Sequence, residues 1–120
     1  MNHEKYKIVL PKPPSVNALY STDWRTKRRF KSPKYKAWLA EAEVALCTQK
    51  RQEFKGEVIV KISVGKQNKR REDISNRIKG VEDFLVSQGI IEDDSKVMYI
   101  SAWWEKTISG CVVSIGQADE

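Results

Sequence analysis

Hydrophobic and polar positions alternate with two different periods along this chain, and the places where the period changes mark the elements. Tyr6-Lys7-Ile8-Val9-Leu10 reads as a strand. Pro11, Pro13 and Pro14 end it, because proline has no N–H for a ladder and pushes its predecessor to extended geometry. Val58, Val60, Ile62 and Val64 alternate with Ile59, Lys61 and Ser63. They predict a strand with one fully apolar face and one half-covered face. Residues 96–106 predict a third strand with Val97, Tyr99, Ser101 and Trp103 on one face. A turn at 107–110 leads to a last strand over 111–115, and the pair is expected to form a hairpin.

Helical spacing replaces alternation twice. Ser32-Pro33 offers an N-cap hydroxyl and a proline at the first helical position. The helix that follows is expected to run to about residue 51 and to bury Tyr35, Trp38, Ala42, Ala45 and Leu46. Ile74, Ile78, Val81 and Leu85 form a second helical stripe, with Gly89 placed to cap it. Residues 15–31 show neither period and are read as an irregular loop. The order β-α-β-α-β-β predicts an α/β (α+β) domain, a small mixed β-sheet with two helices.

At 120 residues the chain is long enough for one domain with one modest core. No apolar run approaches the roughly 20 residues of a membrane-spanning helix. The first ten residues lack a signal-peptide layout, so a cytoplasmic protein is expected. Cys47 and Cys111 both sit among apolar residues and read as buried free thiols.

Charge adds more. The formal net charge is +6, but residues 1–71 hold 18 Lys/Arg against 6 Asp/Glu, while residues 72–120 hold 4 against 10. A basic half joined to an acidic half suits a polyanion partner beside a cation-holding site. Arg25, Lys27, Arg28, Arg29 and Lys31, interleaved with Trp24 and Phe30, and the run Lys69-Arg70-Arg71, are the candidate phosphate contacts. A solvated basic surface is the plainer alternative.

The only histidine is His3, which argues against most zinc sites and against a Ser-His-Asp triad. No glycine-rich phosphate loop is present. The remaining chemistry is that of carboxylates: Asp73, Glu82, Asp93 and Asp94 flank or lie on the second helix, with Lys79 at its centre. Hard oxygen ligands suit Mg²⁺ or Mn²⁺, and Lys79 suits a reacting phosphate. Each residue also has an ordinary reading: Asp73 or Ser75 as a helix cap, Asp93-Asp94 as an acidic turn, Glu82 as a partner of Lys79.

Two stretches carry a resemblance. Residues 10–20, LPKPPSVNALY, followed by Asp73, Asn76, Lys79, Asp83, Leu85, Gly89, Asp93, Asp94 and Val97 at their spacings, resemble the RusA family of Holliday junction resolvases, phage- and prophage-associated endonucleases. The resemblance implies metal-binding carboxylates at Asp73 and Asp94, a catalytic lysine at Lys79, Mg²⁺ as cofactor with Mn²⁺ as a substitute, a DNA four-way junction as substrate, and an intertwined homodimer making two symmetric cuts. The sequence departs from the family at Ser75, where an aspartate is usual. Glu82 is expected to compensate, because positions 75, 79 and 82 of a regular helix share one face. The rivals are a catalytically impaired junction-binding protein and a plain basic DNA-binding module.

Overall fold

The computed structural model describes residues 6–118. His3 lies outside the described residues. The elements run β1 (Tyr6–Leu10), β2 (Tyr20–Asp23), β3 (Arg28–Lys31), α1 (Pro33–Cys47), β4 (Val58–Gly65), α2 (Ile78–Ser87), β5 (Val97–Glu105) and β6 (Cys111–Gln117). The mixed sheet with two helices is as expected. The stretch read as an irregular loop, however, contains a two-stranded ribbon, in which Tyr20 pairs with Lys31 and Asp23 with Arg28. All four residues of β3 are exposed, so no buried face imposes the period-two signature of a strand.

The main sheet has the order β1-β6-β4-β5, with β4 and β5 parallel and the other pairs antiparallel. The expected β5–β6 hairpin is therefore absent, since β6 lies between β1 and β4. The chain from β5 to β6 instead passes across the end of β4. There Gly65 donates to the Gly110 carbonyl at 2.8 Å, and a Cβ on Gly65 would meet the backbone of Ile108 and Ser109. A bulge beside Val58 and Ile59 also changes the reading of β5. Val97 pairs with inward-facing Val58, whereas Tyr99, Ser101 and Trp103 pair with Ile59, Lys61 and Ser63 on the opposite face.

Both helices pack on one face of this sheet. Ile8 and Leu10, the alternating valines and Ile62 of β4, and Cys111, Val113 and Ile115 meet Tyr35, Trp38, Ala42 and Leu46 of α1 and Val81, Phe84 and Leu85 of α2. Trp38 stands edge-on to Phe84 with ring centroids 5.5 Å apart, and its Nε1 donates to the Pro11 carbonyl at 2.9 Å. The opening motif has a structural role as well. Pro13, Pro14 and Leu19 are buried, and Leu19 reaches α2 at Gly80, where a Cβ would lie 3.5 Å from its side chain.

α1 begins as predicted, with the Ser32 hydroxyl accepting from the Tyr35 N–H at 3.1 Å. It ends at Cys47, short of residue 51. The Thr48 hydroxyl and the Gln49 amide both donate to the Ala45 carbonyl, which stops the helix. Gln49 then accepts from the Val9 N–H and donates to the Val9 carbonyl, closing the free edge of β1 in place of another strand. Ala45 is only half-buried, and Cys47 is exposed, contrary to the expectation of two buried thiols. Cys111 is buried, and burial pushes its thiol up to about 12.

Replacing Gly65 tests this topology. Gly65→Ala forces backbone against backbone at the β5–β6 link and should cost about 1–3 kcal/mol. The urea midpoint should fall with an unchanged slope; an unchanged midpoint would mean that the link does not press on β4.

Candidate active site

Asp73 precedes a single 3₁₀ turn, Ile74–Arg77, and α2 proper begins only at Ile78. Asp73 occupies the N-cap position of that turn, but its side chain makes no capping hydrogen bond. Its carboxylate lines a shallow hollow with Arg71, Glu72 and Asn76. The neighbouring Glu72 is committed elsewhere, since Arg77 binds it through Nε at 2.5 Å and through a second guanidinium nitrogen. Arg77 also donates to the Pro13 carbonyl at 2.7 Å, which fastens the proline loop to the start of α2. Sequence reasoning missed Arg77. Its signal was the one arginine in residues 72–120.

The 3₁₀ turn corrects one expectation. Three residues per turn, rather than 3.6, turn Ser75 roughly 60° further from Lys79, while Ser75 and Glu82 stay within about 40° of each other.

The other end of α2 brings charges together. Gln88 closes the helix, and Gly89 takes the left-handed φ of +74° that a side chain would oppose. The N–H groups of Gly89 and Ile90 bond back to the carbonyls of Val86 and Leu85, both at 3.0 Å. Ile90 and Ile91 then drop into the core. Asp93 accepts from the Ser95 N–H at 3.0 Å and from its hydroxyl at 2.5 Å, and those bonds hold its carboxyl below its ordinary range. Asp93 therefore builds the turn that presents Asp94.

Asp94 faces Glu82. Burial, followed by the charge of Asp94, raises the Glu82 carboxyl, while Lys79 works in the other direction. Lys79 is half-exposed and pairs with Asp83 at 3.0 Å, one turn along, rather than with Glu82. That bond, with smaller contributions from Asp94 and Glu82, raises the ammonium above its usual value. Asp83, Asp93 and Asp94 line a hollow of about 490 Å³ together with Tyr20, Lys31 and Tyr35.

The structure thus joins Glu82, Asp94, Lys79 and Asp83 at one place and leaves Asp73 in a separate hollow beside the 3₁₀ turn. Among the described residues, no three His, Cys, Asp or Glu side chains converge as a ready metal-ligand set. The donor chemistry of Glu82 and Asp94 nevertheless fits a hard cation, because both offer carboxylate oxygens and a positive ion offsets the charge of Asp94 that raises Glu82.

Known proteins match this chain along most of its length. Residues 11–116 match the family model for Endodeoxyribonuclease RusA. The chain belongs to the RusA endodeoxyribonuclease family. A crossover junction endodeoxyribonuclease of Enterobacteria phage HK97 is 30% identical over 95 residues, which is 77% of this chain and 76% of that protein. As a RusA-family member the chain is a nuclease, a hydrolase of DNA phosphodiester bonds.

A RusA-family nuclease acts on a polyanion, and this chain exposes two groups of basic residues. Arg25, Lys27, Arg28, Arg29 and Lys31 are all exposed on the β2–β3 ribbon. Direct pairs in the register place Tyr20, Thr22, Arg29 and Lys31 on one side of it, and Lys31 overlooks the acidic hollow. Arg29 lies 4.2 Å from the centre of the Tyr20 ring. Trp24, at the tip, is 80% exposed and does not pack into the core. Lys69, Arg70 and Arg71 are exposed on the loop that leads to Asp73. No helix of the described residues is long and apolar enough to cross a membrane.

Titration tests the Glu82–Asp94 contact without relying on activity. A carboxyl raised in the folded state contributes stability that is present at low pH and lost as pH rises through its folded value. Carboxyl NMR should show the Glu82 pKa falling toward its ordinary range in Asp94→Asn and rising further in Lys79→Ala. No movement in either variant would separate these side chains.

Proposed function

We propose that this protein resolves Holliday junctions as a homodimer in the cytoplasm, through paired, Mg²⁺-dependent cuts in a four-way DNA junction, with Mn²⁺ able to substitute. The observation that carries the reading is Asp94 brought close enough to Glu82 and Lys79 to act on both, beside a hollow that Asp94 shares with Lys31 of the ribbon. The HK97 relative bears the name of a crossover junction nuclease.

In this reading Glu82 and Asp94 would hold the metal without Asp73, and Asp93 fixes the turn that carries Asp94. A bound divalent cation supplies charge neutralisation at the phosphate and a more acidic water. Lys79 donates to a phosphate oxygen. Its exposed pair with Asp83 contributes only about 0–1 kcal/mol, so a phosphate can displace it. Arg25, Lys27, Arg28, Arg29 and Lys31 track the backbone of one arm, and Lys69, Arg70 and Arg71 that of another.

Two cuts need two sites, and a two-fold dimer supplies them. Gln49 blocks the β1 edge of the sheet, whereas β5 is the edge left open, with Met98 exposed at its bulge. β5 is the edge we assign to the second copy.

Ser75 favours one rival, a junction-binding protein with impaired cleavage, since a neutral hydroxyl is a poorer ligand than a carboxylate. A synthetic four-way junction with Mg²⁺ decides between them. We expect the parent to cut and Glu82→Gln to abolish cutting. An inactive parent restored by Ser75→Asp would establish the rival instead.

Asp94→Asn should lower cleavage by at least about a hundredfold while junction binding persists. Lys79→Ala should lower it by roughly 10²-fold, as the loss of a single donor to a reacting oxyanion does. Variants that cut like the parent would remove these residues from the site. Neutralising Arg25, Arg28 and Arg29 together should weaken junction binding and reduce its salt slope by about 0.9 per lost phosphate contact. Unchanged binding and slope would exclude the ribbon.

A further inference from the structure

The helices leave one face of the four-stranded sheet uncovered, and that face has a pattern of its own. Strand register places Lys7, Ser114, Lys61 and Ser101 in one row across β1, β6, β4 and β5. The next row is Val9, Val112, Ser63 and Trp103, and on the other side Gly116, Ile59 and Tyr99 stand together. Tyr99 is 55% and Trp103 is 43% exposed, so two aromatic faces meet solvent beside two lysines.

At the centre of the lysine row is an unsatisfied group. Ser114 is only 9% exposed, and its hydroxyl oxygen is buried without a hydrogen-bond partner. A polar group left in that state is unfavourable. Ser114 borders a hollow that Lys7, Lys61, Ser63, Trp103 and Val112 also line. Lys7 and Lys61 stand two strands apart, roughly 10 Å at the backbone, so both ammonium groups can reach one anion held above Ser114. Neither forms an ion pair among the described residues. Among the described strand residues of this face the acid is Glu105, which lies at its rim and accepts from the Thr107 N–H and hydroxyl.

We propose that this open face is a second DNA-binding surface that takes an unpaired strand, with a backbone phosphate between Lys7 and Lys61 in the hollow above Ser114 and a base against Trp103. Lysines select a polyanion, and exposed aromatic rings select bases whose faces are free, which a duplex does not offer. A second copy docked face to face would set these lysines against their own counterparts with no central acid to meet them. The acidic hollow is lined by α1 and α2, on the helix side of the sheet. A strand held on the open face is therefore kept away from the proposed cutting site. The inference rests on DNA as the substrate but not on junction resolution or on the assigned catalytic residues.

The test is fluorescence anisotropy with a labelled oligothymidylate and a labelled linear duplex over a range of salt, using the full chain. The parent should bind the single strand. Lys7→Ala/Lys61→Ala should weaken that binding at least roughly tenfold and lower the salt slope by about 1.4, or 0.7 for each lost single-strand contact. Trp103→Ser should weaken it by roughly tenfold, within the range for loss of one stacked base. Asp94→Asn should bind the oligonucleotide as the parent does, even if it no longer cuts. If Trp103→Ser does not fold, the lysine pair, which lies outside the core, decides alone. Unchanged affinity and slope in the lysine variant would overturn the inference. Loss of oligonucleotide binding only together with dissociation of a dimer, followed by sedimentation, would overturn it as well, because the face would then serve self-association. A protein that fails on junctions but binds single strands in this way would sustain the inference and sink the proposed function.

Discussion

The chain reversal at Gly89 is the constraint on which the candidate site depends. α2 is held in a crossover between two parallel strands, so β5 must start near one end of the helix and run beside β4. The left-handed glycine, its two backward hydrogen bonds and the burial of Ile90 and Ile91 turn the chain sharply enough for Asp94 to return to the flank of α2. Without that turn Glu82 would lack its acidic neighbour, and Lys79 would lose one of the charges that raise it. A feature of backbone conformation therefore becomes an electrostatic property of the site.

The same arrangement explains how opposite charges coexist without cancelling. The carboxylates are presented by short, locally bonded segments, with Asp93 tied to Ser95 and Glu72 tied to Arg77. The arginines and lysines lie on a ribbon and a loop with little apolar anchoring. Exposed charges of this kind contribute little to stability, about 0–1 kcal/mol for a pair, and remain available to a ligand. The core carries the fold, and the charged segments add little to its stability.

Much of this could be read from the sequence where burial imposes a period. β4, the buried stripe of α2, the Ser32-Pro33 start and the Gly89 cap follow from residue spacing and cap chemistry. The β2–β3 ribbon did not show, because an exposed ribbon has no buried side to mark it. The β5–β6 hairpin was misread because adjacency in sequence predicts pairing, whereas the bare backbone of Gly65 lets the link cross β4. Asp94 and Lys79 were visible as chemistry. The separation of Asp73 from them was not, because a single 3₁₀ turn in place of an α-helical one is invisible to a periodicity of 3.6. Arg77 was overlooked for a related reason: its partners, Glu72 and the Pro13 carbonyl, converge only in three dimensions.

Crystals soaked in Mn²⁺ and measured at the manganese edge would test the central claim most directly. The account predicts an anomalous peak within coordination distance of both Glu82 and Asp94, at about 2.0–2.3 Å from their carboxylate oxygens. A peak held by Asp73 with neither Glu82 nor Asp94 among its ligands would contradict it.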